Sequence, residues 1–132
     1  MAGIWKRNDE VFGGASVSLG ASETNTVVSK HFLLTPEAAL SALRVDIVAS
    51  SVTASAGITA KVQQRVADSW VDVTGLSVAI TTAGTVTILM NGRDSTAGVF
   101  AVLPLSNTAR VVVSTGAGDA VSIDNVFVTM ER

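Results

Sequence analysis

His31 is the only histidine among the 132 residues, so it is the one side chain whose ordinary pKa suits a general base near neutral pH. A Ser-His-Asp triad would need a serine together with Asp46 or Asp72. The chain has no Gly-x-Ser-x-Gly elbow that would present such a serine. A triad is defined by geometry, which composition alone does not supply. We therefore interpret His31 as a partly buried structural residue, and we predict no catalytic residues and no enzymatic activity.

Metal and phosphate chemistry have equally little support in the sequence. A single histidine and the absence of cysteine exclude multi-histidine and thiolate metal sites. Asp119 and Asp124 could contribute to a calcium site, but the spacing of a calcium-binding loop is absent. The run Gly116-Ala117-Gly118 lacks the rest of either glycine-rich phosphate fingerprint, and it is interpreted as a hairpin turn. We predict no metal and no cofactor.

Aromatic side chains are the remaining candidates for binding chemistry. The chain has four phenylalanines, no tyrosine, and two tryptophans, Trp5 and Trp70. A carbohydrate platform needs exposed aromatic faces with polar groups around them, and this small set would make a thin one. Trp70 is therefore interpreted as a core or edge anchor. A glycan-binding role for it stays open as an alternative.

The elements that would position these residues are short strands. Apolar and polar residues alternate cleanly over residues 42–49 and 58–66, which predicts two half-buried strands. In the second strand, Lys61, Gln63 and Arg65 share the solvent-facing side. Residues 35–40 are predicted to form one helical turn, and residues 50–57 a loop. Further strands are predicted at 15–19, 24–34, 70–73, 76–81, 85–91, 99–103, 110–113 and 121–128.

Turn signals between the strands predict how they connect. A short turn at 67–69 should close one hairpin, residues 82–84 should join the next pair, and Asn91-Gly92 should begin another turn. Residues 98–130 are interpreted as a β-meander. In the last strand the apolar phase changes, and a bulge at Asp124-Asn125 would reconcile the two phases.

About eight to nine short strands with no convincing helix predict an all-β fold, an antiparallel β-sandwich of jelly-roll type. We expect a single domain over residues 15–132, preceded by an extended N-terminal arm over residues 1–14. The arm matches neither strand nor helix periodicity, although it carries large apolar and charged groups. We predict that the arm binds a partner through Ile4, Trp5, Lys6, Arg7 and Phe12. The alternative is that the arm packs against its own sandwich.

Composition indicates what kind of partner to expect. Apolar residues make up 48% of the chain and charged residues only 15%, so part of the surface should be covered by other copies or by another protein. A net charge of −2 and scattered basic residues argue against nucleic acid. No apolar run approaches the ~18 to 20 residues of a membrane helix. No apolar segment follows the basic pair near the N-terminus, so we expect synthesis in a cytoplasm.

Several segments resemble small all-β virion proteins of tailed bacteriophages, above all jelly-roll capsid decoration, or cement, proteins. The resemblance lies in residues 60–65, 70–73, 110–116 and 124–128. It implies a non-enzymatic homotrimer that binds the major capsid protein, sits on the capsid surface of the virion, and is made in the cytoplasm of a bacterial host. The ending at 124–128 also resembles carbohydrate-binding jelly-roll modules. Another head or tail component, such as a connector, stopper or tube protein, is a third alternative.

Overall fold

The computed structural model describes residues 6–10, 17–24, 26–30, 32–33, 42–91 and 108–131. These ranges contain ten strands and no helix. His31, the predicted helical turn at 35–40 and the predicted strand at 99–103 lie outside them. The strands are β1 (Lys6–Glu10), β2 (Val17–Leu19), β3 (Thr26–Val27), β4 (Phe32–Leu33), β5 (Ala42–Thr53), β6 (Ile58–Val66), β7 (Ser69–Ile80), β8 (Gly84–Asn91), β9 (Thr108–Ser114) and β10 (Ala120–Glu131).

The strands form two antiparallel sheets of five strands each. In the first sheet the order is β1-β10-β5-β8, and β2 pairs with the same edge of β10 as β1 does. In the second sheet the order is β3-β9-β6-β7, and β4 lies beside β3 on the edge of β9. The predicted antiparallel β-sandwich is confirmed.

The core lies between the two sheets and is made of small and β-branched side chains. Leu43, Val45 and Ile47 of β5 are at most 1% exposed, and they lie on the face that alternation predicted. The other sheet contributes inward-facing residues of β6, β7 and β9 to the same cluster. Among them are Ile58, Ala60, Val62, Leu76, Ile80, Ala109, Val111 and Val113.

The predicted change of phase in the last strand is confirmed. The register between β10 and β5 skips Asp124, since Ile123 pairs with Ala49 and Asn125 with Val48. Val121 and Ile123 are buried before this bulge, and Val126 is buried after it. The extra residue restores the apolar face to the core, as a β-bulge should.

Several predicted strand ends are wrong. Residues 50–53 belong to β5, because they continue the ladder with the first residues of β10. The predicted strands at 70–73 and 76–81 form one strand, β7, which continues through Gly75. This residue takes a φ of 86° where the β6–β7 register shifts, which glycine adopts without the steric cost of a side chain. Conversely, the predicted strand at 24–34 is split into β3 and β4, and between them the Ser29 hydroxyl accepts the bond of Val111 N–H at 2.7 Å.

The predicted pairing of neighbouring strands is also wrong in two places. β9 and β10 do not form part of a meander, because they lie in different sheets. β7 and β8 likewise lie in different sheets, so residues 81–83 are a crossing between sheets and not a hairpin turn. Turn residues indicate that a chain reverses, but they do not indicate which sheet the next strand joins. The turn at Ala67-Asp68 does close the predicted hairpin, between β6 and β7.

Two of the crossings between sheets are fastened together by Asp119, which is 1% exposed. Its carboxylate accepts backbone N–H bonds from Ser55, Ala56 and Gly57 in the β5–β6 crossing. It also accepts one at 2.7 Å from Gly116 N–H in its own crossing. The two crossings approach so closely that a Cβ at Gly116 would lie 2.7 Å from the Cβ of Ala56. We call Asp119 and its four donors the Asp119 clamp.

Candidate functional site

The predicted partner-binding residues of the arm fall in two groups. Lys6 and Arg7 lie in β1, where they pair with Glu131 and Met130 of β10 at the edge of the first sheet. Ile4, Trp5 and Phe12 lie outside the described residues. The part of the arm that the structure describes therefore adds a strand to its own sandwich, as in the alternative stated above. Contact between these five residues and a partner stays a prediction.

Trp70 lies on the outer face of the second sheet, opposite Arg65 in the β6–β7 ladder. The carbon of the Arg110 guanidinium lies 4.2 Å from the centre of the indole ring, and that of Arg65 lies 5.7 Å from it. Arg110 reaches the ring from β9, which is separated from β7 by β6. Guanidinium groups at such distances are attracted to the negative face of an indole. Trp70 is thus held at the surface, partly buried, and not inside the core.

A chain of hydrogen bonds runs beside the ring across the same three strands. Arg110 Nε donates to Gln63 Oε1 at 2.9 Å, and Gln63 Nε2 donates to Asp72 Oδ1 at 2.8 Å. Lys61 Nζ completes the chain with an ion pair to Asp72 Oδ2 at 3.2 Å. Gln63 is only 7% exposed, so the network has a buried centre and charged ends. The Trp70 cluster is our name for Lys61, Gln63, Arg65, Trp70, Asp72 and Arg110.

The electrostatics of the cluster follow from these contacts. The hydrogen bond from Gln63 lowers the pKa of Asp72, burial opposes that effect, and Lys61 lowers the pKa further. The carboxylate is therefore ionised at neutral pH. Burial lowers the pKa of Arg110, and the nearby positive charge of Arg65 lowers it as well. Arginine keeps its proton at neutral pH, so the lowered pKa reflects first the cost of burying this guanidinium and then its repulsion by Arg65.

The sequence indicated part of this site. The predicted polar face of residues 58–66 is confirmed for Lys61 and Arg65, whose side chains reach solvent. Gln63 shares that face but is buried, because its amide is bonded to side chains of both neighbouring strands. Arg110 was missed as a binding residue. It lies in the apolar run of β9, and the contact to Trp70 spans 40 positions along the chain and two strand-to-strand spacings. The one available signal was the single charge in an otherwise apolar strand.

The arrangement suits binding more than chemical transformation. The cluster presents cations, an amide and an indole, and its carboxylate already has two partners, Gln63 and Lys61. Within the described ranges, no three histidine, cysteine, aspartate or glutamate side chains converge as metal ligands would. No helix in the described part of the chain has the length and hydropathy needed to cross a membrane.

A comparison with protein-family models found no match, and a comparison with curated proteins found none either. Solved structures do match. The chain resembles the Eiger TNF of S. frugiperda with a TM-score of 0.51 and 11% identity, over 98% of this chain and 93% of that one. This likeness, at such low identity, shows the fold alone. Together with the two five-stranded sheets, it defines the chain as a β-sandwich of the jelly-roll type, as predicted.

Two further structures match at lower similarity. One is a Bacillus endospore appendage from a family of disulfide-linked pili, with a TM-score of 0.39 and 9% identity over 97% of this chain and 88% of that one. The other is PirA, with a TM-score of 0.34 and 10% identity over 96% of this chain and 93% of that one. Neither is similar enough to support an argument about this protein.

Proposed function

We propose that this chain is a structural, non-enzymatic protein that decorates and stabilises a phage capsid. In this proposal it binds the lattice of the major capsid protein as a homotrimer on the capsid surface, after synthesis in the cytoplasm of the bacterial host. The resemblance of residues 60–65, 70–73, 110–116 and 124–128 to decoration proteins motivates it. The observation that supports it most is the Trp70 cluster.

The Trp70 cluster has the composition of a protein-binding hot spot. Tryptophan and arginine are the residue types whose truncation most often costs binding energy at protein interfaces. Here they are held in place by contacts among β6, β7 and β9 before any partner arrives. A side chain that is already ordered loses little conformational entropy when it binds. The cluster is therefore preorganised for binding another protein.

Exposed apolar side chains elsewhere on the sandwich support self-association. Leu89 on β8 is 52% exposed, Val71 on β7 is 43% exposed, and Val27 on β3 is 40% exposed. Single exposed apolar residues are common, but a chain with only 15% charged residues has few charges to place around them. Interfaces between identical subunits are more apolar than transient ones. A homotrimer would cover some of these side chains.

Trp70→Ala is expected to weaken capsid binding by roughly thirtyfold, because truncating a central interface tryptophan costs about 2 kcal/mol or more. The measurement is co-sedimentation of the purified chain with assembled capsids of tailed phages. Thr85→Ala, at an exposed position of β8 in the first sheet, is the matched control and should change the affinity by less than about twofold. Full affinity of a folded Trp70→Ala variant would rule out this face as the capsid contact.

Removal of residues 1–12 is expected to reduce capsid binding as well, since it deletes all five predicted partner-binding residues of the arm. It also removes β1 and leaves the outer edge of residues 127–131 in β10 without its partner strand. A second variant separates the two effects. The double substitution Trp5→Ala and Phe12→Ala keeps residues 6–10, and it should weaken binding without exposing that edge. Wild-type binding by both variants would end the assignment of the arm.

A carbohydrate-binding role is the alternative, and one observation favours it. Trp70 is bordered by hydrogen-bonding groups of Gln63 and Asp72, as sugar-binding tryptophans often are. Against it, the Arg110 guanidinium already lies over the indole at 4.2 Å, where a sugar ring would stack. Binding on a glycan array that Trp70→Ala abolishes would support the alternative. A ring of six or twelve copies would instead favour a connector, stopper or tube protein at the tail axis.

A further inference from the structure

The Trp70 cluster concentrates positive charge on a chain whose net charge is negative. Three of its side chains are cations, Lys61, Arg65 and Arg110, and one is a carboxylate, Asp72, which leaves the cluster with a formal charge of +2. The whole chain carries −2. The face around Trp70 is therefore set apart from the rest of the molecule by the sign of its charge.

Neither arginine of the cluster is neutralised within the described part of the chain. The two oxygens of Asp72 are bound by Gln63 and Lys61, and the described residues contain no ion pair between a carboxylate and Arg65 or Arg110. Asp68, in the adjacent β6–β7 turn, makes none with them either. By contrast, Arg44 on the first sheet is paired with Asp46 at 3.0 Å.

The two guanidinium groups are oriented by their Nε atoms. Arg110 Nε donates to Gln63 Oε1 at 2.9 Å, and Arg65 Nε donates to the carbonyl oxygen of Ala67 at 3.3 Å. These bonds and the nearby indole restrict the positions of both groups. The terminal Nη atoms take no part in these two bonds, and they are the atoms that receive a carboxylate end-on in a bidentate contact.

We infer that the Trp70 cluster binds a carboxylate-rich segment of a partner protein through Arg65 and Arg110. The inference rests on the proposed function and deepens it, because it specifies which part of a capsid protein this face contacts. The two guanidinium groups lie near one indole and repel each other, and a carboxylate bound to either of them would reduce that repulsion. Nucleic acid fits less well, because the remainder of the chain is acidic and would repel a long phosphate backbone.

The test measures capsid binding for Arg65→Gln, Arg110→Gln and the control Arg44→Gln, which removes the same charge from the first sheet. Each of the first two should weaken binding about tenfold, the usual worth of a charge-assisted hydrogen bond, and the control less than about twofold. Arg65→Lys keeps the positive charge but loses the planar guanidinium that binds a carboxylate through two bonds. Its capsid affinity should therefore lie between those of Arg65→Gln and the wild type. Raising the salt from about 50 to about 500 mM should weaken wild-type binding.

A short oligoglutamate peptide then tests the chemistry of the partner directly. It should bind the intact chain, compete with capsids, and bind neither Arg65→Gln nor Arg110→Gln well. The inference would be overturned if folded Arg65→Gln and Arg110→Gln both bound capsids as the wild type does. It would also be overturned if polygalacturonate competed with capsids and oligoglutamate did not. Either result would leave the proposed function standing. Oligoglutamate binding that depends on both arginines, in a chain that binds no capsid, would instead retain the inference and remove the proposed function.

Discussion

Asp119→Ala is expected to destabilise the fold more than removal of any other described carboxylate. Its oxygens accept backbone bonds from Ala56 at 2.8 Å, from Gly57 at 3.0 Å and from Gly116 at 2.7 Å, as well as one from Ser55. Alanine would leave these four backbone N–H groups without an acceptor at the point where two crossings between the sheets meet. Unsatisfied buried donors lower the stability of the fold. Urea unfolding followed by circular dichroism should show a clearly lower midpoint.

Asp124→Ala is the matched control for the Asp119 clamp, because Asp124 lies close by in β10, is partly exposed, and accepts a hydrogen bond from the Ser50 hydroxyl at 3.1 Å instead of several backbone bonds from a crossing. It should move the midpoint much less. If the two substitutions lowered the urea midpoint equally, the Asp119 clamp would not be what holds the two crossings together.

The same clamp makes stability depend on pH in a known direction. Burial alone would raise the pKa of Asp119, but the four backbone hydrogen bonds outweigh it and hold the pKa below the ordinary value of 3.8. The unfolded chain therefore binds this proton more tightly than the folded chain does. The stabilisation is complete above the unfolded pKa and is lost as the pH falls through the folded pKa. Asp119→Asn should remove most of the loss of stability at acid pH, whereas Asp72→Asn should leave most of that loss in place.

Ile47→Ala is expected to lower the free energy of unfolding by about 3 to 4 kcal/mol, as usual for truncation of a fully buried isoleucine. Ile47 is 0% exposed and lies in β5 between Val126 of β10 and Val86 of β8. The cavity would therefore form in the core, beside the middle of the first sheet. Chemical unfolding measures the loss, and Thr85→Ala, at an exposed position of β8, should cost much less. Similar costs for the two variants would contradict the described packing.

The faces of individual strands could be predicted from the sequence because alternation is local. Leu43, Val45 and Ile47 face the core as their spacing indicates, and the phase change after Ile123 correctly predicted the bulge at Asp124. The division of strands between the sheets could not be predicted in the same way. The run at Gly116-Ala117-Gly118 predicts a reversal, but tertiary packing decides that it leads from β9 into the other sheet.

The candidate site was predictable only in part, for the same reason. The alternation of Lys61, Gln63 and Arg65 placed one polar face correctly. The contact of Arg110 with Trp70 and the four donors around Asp119 join segments that are distant in sequence. Such contacts leave no periodic signal, since they depend on the order of strands in the sheet. Sequence analysis selected Trp70 and Asp119 as candidate residues, but it could not predict which side chains and backbone groups surround them.

Comparing cryo-electron microscopy maps of assembled capsids with and without the added chain tests the central claim most directly. We predict additional density at local three-fold positions of the lattice, formed by three copies of the 13.5 kDa subunit. The outer face of β6, β7 and β9, with Trp70 at its centre, should touch the major capsid protein. Capsids that gain no density, or density that turns this face toward solvent, would contradict the account.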